Sequence, residues 1–316
     1  MVPKILSTKY SVTKVSLTIE NPYNITYPKI TAIGSESGNK IELIEQFDCV
    51  GGAMWAKAQY QKSPLVISVR TVMNTTRYIL HTGNISLDLQ GSVFPAGISG
   101  AHIRGNEISI SYLGLGGGGV GAAFGRASAG GVLRSEYTES GGGKTAGSMI
   151  VLANNTRVLI GVDDTDTAEE GATWTLVHNI ARTIASHTPE HQYLSHTIVQ
   201  LYPVEFRTKN CVALVAEFAT TSPTSLVQQF SELLKTYTLS SDTGMAVYIG
   251  FSPDALLPYG WRVKQGYVDL ADTMAQYLGD MAIPGLFAPI TGRGIVGAIA
   301  AIPFYTNFEE ALTLCG

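Results

Sequence analysis

Charge is scarce in this sequence. Asp, Glu, Lys and Arg make up only 15% of its 316 residues, against the roughly one quarter usual in globular domains. A chain so poor in charge has little with which to cover its surface, and 45% of its residues are hydrophobic. That combination points to a homo-oligomer or to a member of a protein complex. The balance is slightly acidic, at net −4, and no run of Lys or Arg occurs. The electrostatic footprint of a dedicated duplex binder is missing. This disfavours nucleic acid as a partner, while leaving room for a small RNA-contacting pocket.

Cysteine is also scarce. Cys49, Cys211 and Cys315 lie far apart with no CxxC pair, so neither a zinc site nor a disulfide framework is indicated. Cys49 and Cys211 are expected as buried, inert thiols. The six histidines, His81, His102, His178, His187, His191 and His196, lack metal-ligand spacing and read as surface residues. The opening MVPKILSTKY has no apolar signal core. The longest apolar stretch, Ile295 to Phe304, is far short of a membrane span. A cytoplasmic protein with no membrane partner is expected.

What is present divides the chain in two. Residues 1–153 read as a β-rich N-terminal domain, with strand patterns at Val12–Glu20, Lys40–Phe47, Leu65–Met73 and Ile108–Leu113 and one helix at Val50–Gln61. This half ends in a glycine-dense stretch, Gly114–Gly147. Residues 154–316 are more regular. A buried strand at Val158–Val162 precedes a helix at Ala172–His187, whose Leu176, Ile180 and Ile184 share one face. Strands at Ser195–Phe206 and Cys211–Phe218, a helix at Ser225–Tyr237 and a strand at Met245–Phe251 complete a β-α-β-β-α-β order, that of a ferredoxin-like unit. Helices near Tyr267–Leu278 and Ile295–Ala301 follow. The fold class expected is α+β.

The segment richest in chemistry is Gly161-Val162-Asp163-Asp164-Thr165-Asp166. Three carboxylates stand where a buried strand ends and a helix begins. Acids this close repel one another unless a cation or a long loop relieves them. Their hard oxygens suit Mg²⁺, which keeps several waters and bridges to substrate phosphates. The helix that follows offers N–H groups and a positive dipole end to phosphate. The alternative is a capping loop, with Asp166 or Thr167 at the helix start; a cap needs one acid, and this turn has three.

GVDDTDT, followed by Gly171-Ala172-Thr173-Trp174-Thr175, resembles the GIDDTDS-type motif of archaeal tRNA-Ile agmatinylcytidine synthetases, enzymes that use ATP and Mg²⁺ to activate a cytidine carbonyl. Thr291-Gly292-Arg293-Gly294-Ile295-Val296-Gly297-Ala298-Ile299-Ala300-Ala301 is similar to their GRGLIGALAAI segment. Arg104-Gly105-Asn106 is a weaker echo of their RGN motif, here placed ahead of the acidic turn. The whole chain resembles the archaeal methanogenesis marker protein 11 family, which shares the acidic block. The likeness covers mainly residues 157–302. It implies Mg²⁺ and catalysis at Asp163, Asp164 and Asp166, and nucleotide contacts at Thr165, Thr167, Gly171, Thr173, Arg293 and Gly294. One departure matters: a Thr that takes part in phosphate chemistry in the synthetases aligns with Trp174 here. Zinc-ribbon cysteines and an OB-like tail are also missing.

The remaining glycines carry weaker signals. Gly114-x-Gly116-x-x-Gly119 fits GxGxxG but lacks the acidic residue a dinucleotide fold needs downstream. SGGGKT ending at Thr145 fails as a phosphate loop, because Thr138 stands where its first glycine belongs. Gly116 and Gly119 could cover a nucleotide's phosphates; glycine for close packing is the alternative. Arg293 stands ahead of a small-residue helix, and a guanidinium beside bare N–H groups makes a phosphate clamp.

These readings converge on an ATP- and Mg²⁺-dependent enzyme that activates a substrate oxygen by phosphoryl or nucleotidyl transfer. Its acceptor substrate is unidentified, and the resemblance implies a methanogen-specific pathway. A non-catalytic nucleotide-binding assembly or regulatory protein is the alternative, and an RNA-modifying or RNA-binding protein a third.

Overall fold

The computed structural model describes residues 18–205, 207–208, 210–279 and 283–314. In chain order the elements are β1 (Lys29–Gly34), β2 (Lys40–Gln46), α1 (Val50–Tyr60), β3 (Val66–Val72), β4 (Thr75–His81), β5 (Gly83–Asn84), β6 (Ala96–Arg104) and β7 (Glu107–Leu115). Then come α2 (Gly117–Val120), β8 (Val132–Tyr137), β9 (Thr145–Asp163), α3 (Thr173–His187), β10 (His191–Gln200), β11 (Val212–Thr220), α4 (Pro223–Tyr237) and β12 (Gly244–Ile249). The chain closes with α5 (Leu257–Gln265), α6 (Leu270–Tyr277), β13 (Leu286–Thr291), α7 (Ile295–Ala301) and α8 (Phe308–Leu312). This is an α+β fold built on one large curled sheet. The Val12–Glu20 pattern falls mostly outside the described residues, and Thr18–Glu20 are not in a strand.

The sheet is organised by β9, a strand of 19 residues. Its first half pairs antiparallel with β7 from Thr145 to Ala153 and also with β8. At Asn154 and Asn155 it meets β1 in parallel, and β1 continues into β2, β4 and β3. From Thr156 to Asp163 its neighbours are β11 and β12, both antiparallel. β9 thus runs unbroken past residues 153 and 154, where the sequence suggested two domains.

The second half has the strand order β10-β11-β9-β12, all antiparallel, with β13 added beside β12. Numbered within the unit this is 2-3-1-4, the order of a ferredoxin-like sheet. Both faces are covered. Val158, Ile160 and Val162 pack with Val177, Ile180 and Ile184 of α3 and Leu226, Phe230 and Leu234 of α4. Leu159 packs on the opposite face with Ala298, Ile299 and Ile302. Burial on both faces explains why VLIGV and VALVAEFAT are continuous apolar runs rather than alternating ones.

Several elements escaped the sequence reading, among them β1, β4, β6 and β8 in the first half and α5, β13 and α8 in the second. The helix α5 contains Pro258 and Gly260, both poor helix formers; Gly260 is admitted because a side chain there would strike the Phe304 ring. The strand β13 contains Pro289, which an edge strand tolerates because it need not donate. β10 ends at Gln200 rather than at 206, ahead of Pro203. Cys49 is exposed rather than buried, and its Sγ accepts from the Gly52 N–H at the start of α1. His191 is fully buried, not a surface residue, with Nδ1 paired to Thr220 Oγ1 at 2.8 Å.

Two buried ion clusters pin the sheets. Arg126 forks onto Glu45 through Nε and Nη2, each at 2.8 Å, and lies over the rings of Tyr60 and Tyr112. Glu217 of β11 takes two bonds from Arg77 of β4, at 2.9 and 2.6 Å, and one from Arg157 of β9 at 3.1 Å. Glu42 of β2 pairs with the same two arginines, so this cluster ties the N-terminal strands to the ferredoxin-like unit.

Candidate functional site: an acidic strand end under a glycine-lined helix

The second half of β9 delivers the acids. Side chains alternate along a strand, so Asp163 points to the same face as Leu159 and Gly161, toward α7. A Cβ on Gly161 would be driven into the Ala298 carbonyl, and one on Gly244 of β12 into the backbone at Gly294 and Ile295. These two glycines let α7 lie directly on the strand backbones. On the helix side, a Cβ at Gly297 would collide with Asp163 Oδ2, and one at Gly294 would stand 2.7 Å from the Asp163 carbonyl oxygen. The glycines of the two matched blocks therefore face one another across a helix–sheet contact, and the Asp163 carboxylate is lodged in it.

Asp163 Oδ1 accepts from the Asp164 N–H at 2.8 Å. Asp164 itself has φ of +53°, a left-handed backbone that Asp and Asn adopt more readily than most side chains. Burial pushes the Asp163 carboxyl well above the ordinary carboxylate range; the Asp164 charge adds to the rise and the Asp164 N–H opposes it. Asp164 is raised too, by burial first, against the lowering pull of Arg293 and with Asp242 and Asp166 adding to it. Two neighbouring acids that resist ionisation form a place where an added cation is welcome.

A cavity of about 180 Å³ opens over this strand end, lined by Asp163, Asp164, Arg293, Gly294 and Gly297. Residues with no motif of their own complete it: Tyr202, Arg207, Thr208, Asn210 and Cys211 from the β10–β11 region, and Tyr267 after α5. Its volume lies below that of pockets enclosing a whole drug-sized ligand. Arg293 Nη2 pairs with Asp242 Oδ2 at 2.9 Å. Asp242 is a fourth acid that sequence reading missed, and the only signal for it was an Asp-Thr-Gly turn leading into β12.

The other expected site residues divide. Asp166 stands beside the cavity, accepting from Thr208 at 3.3 Å. Thr165 is buried and its N–H and hydroxyl both reach Thr173 Oγ1, at 3.3 and 3.1 Å; its carbonyl accepts from the Leu239 N–H. Thr167 and Glu170 staple the loop through their backbones, and Gly171 turns it with φ of +89°. Thr165, Thr167, Gly171 and Thr173 set the loop's shape and do not line the cavity. The N–H groups expected to be bare ahead of α7 are engaged: Gly294 donates to Asp242, Ile295 to Gly292 and Val296 to Arg293 carbonyls. The backbone part of the expected clamp is therefore spent within the fold.

Gly116 and Gly119 are not brought here. They belong to α2 and its approach, packed on β7 and the first half of β9, with Gly119 against Ala146 and the Gly114 carbonyl. Ala146 precedes Asp163 by 17 residues of strand, on the order of 50 Å at about 3.3 Å per residue. Arg104-Gly105-Asn106 forms the β6–β7 turn, where the Gly105 and Asn106 carbonyls receive Asn154. Trp174 is 48% exposed on α3. Among the described residues no group of three or more His, Cys, Asp or Glu side chains is arranged to hold a metal ion, so the three acids of the turn do not form a ready cage. No helix among them is long and apolar enough to cross a membrane.

A ferredoxin-like unit with an acidic strand end beneath a glycine-lined helix is the class that this geometry defines. The domain family described as the TiaS TCKD domain matches residues 159–225, from the last five residues of β9 into α4. Over 299 residues the chain is 35% identical to a protein of Methanocaldococcus jannaschii, Uncharacterized protein MJ0921, covering 92% of this chain and 98% of that one. The chain belongs to the same family as that archaeal protein. Among solved structures it is similar to TiaS in complex with an isoleucine tRNA and ATP, with 18% identity and a TM-score of 0.39 over 47% of this chain and 36% of that one. Apo TiaS, described as a tRNA agmatidine synthetase, is similar at 20% identity and a TM-score of 0.38, over 46% and 35%. The chain thus matches about a third of the length of those solved chains.

Proposed function

We propose that the strand-end cavity binds ATP together with Mg²⁺ and that the protein uses it to activate an oxygen of an acceptor substrate by phosphoryl or nucleotidyl transfer, in a pathway particular to methanogens. One observation carries the reading: Asp163, Asp164 and Arg293, from sequence blocks well over a hundred residues apart, share one cavity, and its two acids lie inside the segment that matches the TiaS TCKD domain. Asp163 and Asp164 would hold the metal, with Asp166 beside them. Mg²⁺ takes one or two carboxylates and completes its shell with water and phosphate oxygens, which suits a pair of acids better than a closed cage. When bound, the ion would neutralise phosphate charge. Arg293 can present its planar fork to a second phosphate oxygen, and the covering helix keeps water from the Asp163 side. The acceptor is the open part of the reading. TiaS is described in complex with tRNA, and an RNA acceptor is the proposal nearest to it despite the acidic balance of this chain.

Calorimetry with ATP, with and without Mg²⁺, tests this. Binding should be strong only with the metal, and Asp164→Asn should abolish the metal-dependent part while leaving Tm unchanged, since Asn accepts the same left-handed backbone. Arg293→Lys keeps the charge but loses the fork, and affinity should fall about tenfold. Equal ATP binding in EDTA would sink the proposal. Slow ATP turnover with Mg²⁺ favours an enzyme; tight binding without turnover favours a nucleotide-dependent assembly factor, the reading to which Trp174 lends weight.

A further inference from the structure

Where β3 and β4 meet the ferredoxin-like unit, the arginines outnumber the carboxylates that answer them. Arg70 of β3 and Arg77 of β4 stand directly opposite each other in register, and like charges across a strand pair repel. Arg77 is satisfied by Glu217 and Glu42. Arg157 draws on the same two carboxylates. Two acids therefore serve two guanidiniums, and Arg70 makes no ion pair among the described residues. Its guanidinium lies 5.1 Å over the Phe308 ring. Burial, and then the Arg77 charge, push its pKa down, while Glu309 of α8 offsets this in part from beyond ion-pair distance.

Two hollows of about 130 and 350 Å³ open beside this pair and share Arg70, Arg77 and Thr306. Thr75 and Ser195 stand on the smaller hollow; Lys40, with the acids Glu42 and Asp254, stands on the larger, where Lys40 and three arginines still outnumber the carboxylates. The Ser195 hydroxyl is already given to Glu217. One arginine fork without an ion pair, Arg70, beside the bonded Arg77 guanidinium and edged by hydroxyls, is the chemistry that receives a compact oxyanion.

We propose that this hollow is a phosphate-binding site, with Arg70 and Arg77 as its two cationic walls. It is separate from the acidic cavity. Arg157, which edges the larger hollow, precedes Asp163 by six residues on β9, roughly 20 Å of strand. A phosphate seated there converts the repulsion between Arg70 and Arg77 into a shared attraction. The group belongs either to a small phosphorylated ligand or to the backbone of a polynucleotide.

The test uses the full chain, with inorganic phosphate as the first probe and potassium chloride at matched ionic strength as control. Phosphate should raise Tm beyond the chloride control in the native protein and equally in Asp164→Asn, which leaves this hollow intact. In Arg70→Gln the phosphate affinity should fall by about tenfold or more, while Tm without phosphate holds or rises because the repulsion is gone. Arg70→Lys should lie between. A short single-stranded oligoribonucleotide is the second probe. Loss of its binding in Arg70→Gln assigns the site to a polynucleotide; oligonucleotide binding indifferent to Arg70, with phosphate binding lost, assigns it to a small ligand. If chloride stabilises as well as phosphate, or Arg70→Gln keeps the native phosphate affinity, the proposal is overturned.

Discussion

Two acids on neighbouring strands of one sheet meet opposite fates. Glu217 on β11 is fully buried, yet Arg77 and Arg157 hold its carboxyl below the ordinary range against the upward push of burial. Asp163 on β9 is pushed well above that range, with only the Asp164 N–H opposing. The sheet and the chemistry are shared, with Glu217 fully buried and Asp163 partly so; what sets their fates apart is whether the fold supplies the counter-charge. An acid answered from within belongs to the scaffold. One left unanswered at the mouth of a cavity is open to a cation from outside, and that contrast locates the candidate site better than the count of aspartates does.

The contrast can be tested by removing each acid in turn. Glu217→Gln should have the largest effect, because it leaves Glu42 alone to answer two buried guanidiniums. Breaking a buried pair from one side costs about 3–5 kcal/mol, readable by urea denaturation. The native protein's dependence on this group has a definite sign. Its folded pKa is depressed, so its contribution is present above the unfolded carboxylate value and is lost as pH falls through the folded one. A Glu217→Gln chain as stable as the native one would remove Glu217 from the scaffold.

Next in size is Gly161→Ala. The added methyl meets the Ala298 carbonyl, so α7 must lift from β9. A loss of about 1–3 kcal/mol is expected, together with weaker nucleotide binding, because Asp163 and Arg293 are joined by that contact. Unchanged binding after a clear loss of stability would uncouple the helix from the site.

Asp163→Asn should have the smallest effect and the opposite sign. A raised folded pKa means the native state holds its proton more tightly than the unfolded chain does. Stability from this group is present at low pH and lost as pH rises through the folded value. The Asn variant should therefore gain on the order of 1 kcal/mol at neutral pH and lose that advantage below the ordinary carboxylate pKa. Asn Oδ1 still accepts the Asp164 N–H, so the turn is kept. A destabilised variant at pH 7 would make Asp163 structural, like Glu217.

The parts of this arrangement that could be read from sequence are those where one residue type had one explanation. The bounds of α7 follow from its run of small and apolar residues, and those of α1 differ from the expectation by one residue at its end. The ferredoxin-like order was visible because helical and strand periods alternate cleanly from Val158 onward. Glycine was ambiguous. Gly116 and Gly119 looked like a phosphate cover, as did Gly294; Gly119 and Gly294 stand where backbones pack closely, while Gly116 turns the chain with a φ of +58°. Only the neighbourhood differs, Ala146 in one case and Asp163 in the other. The partners of Arg293 and Arg77 lie 51 and 140 residues away, and no local pattern encodes such distances. Glu217, sitting inside VALVAEFAT, carried the one strong hint of a buried pair.

Because one strand serves three sets of neighbours, β9 acts as a ruler. Its first nine residues are set in step by β7 and its last eight by β11 and β12, while only Asn154 and Asn155 lie in the interval held by β1. A one-residue deletion in that interval would leave both ends locally content but out of phase. Inward and outward would then exchange on one side of the gap. Asp163 would trade places with Val162, and the carboxylate would be carried from the cavity to the face beneath α3 and α4. The position of the acid pair is in this sense measured from the far end of the strand.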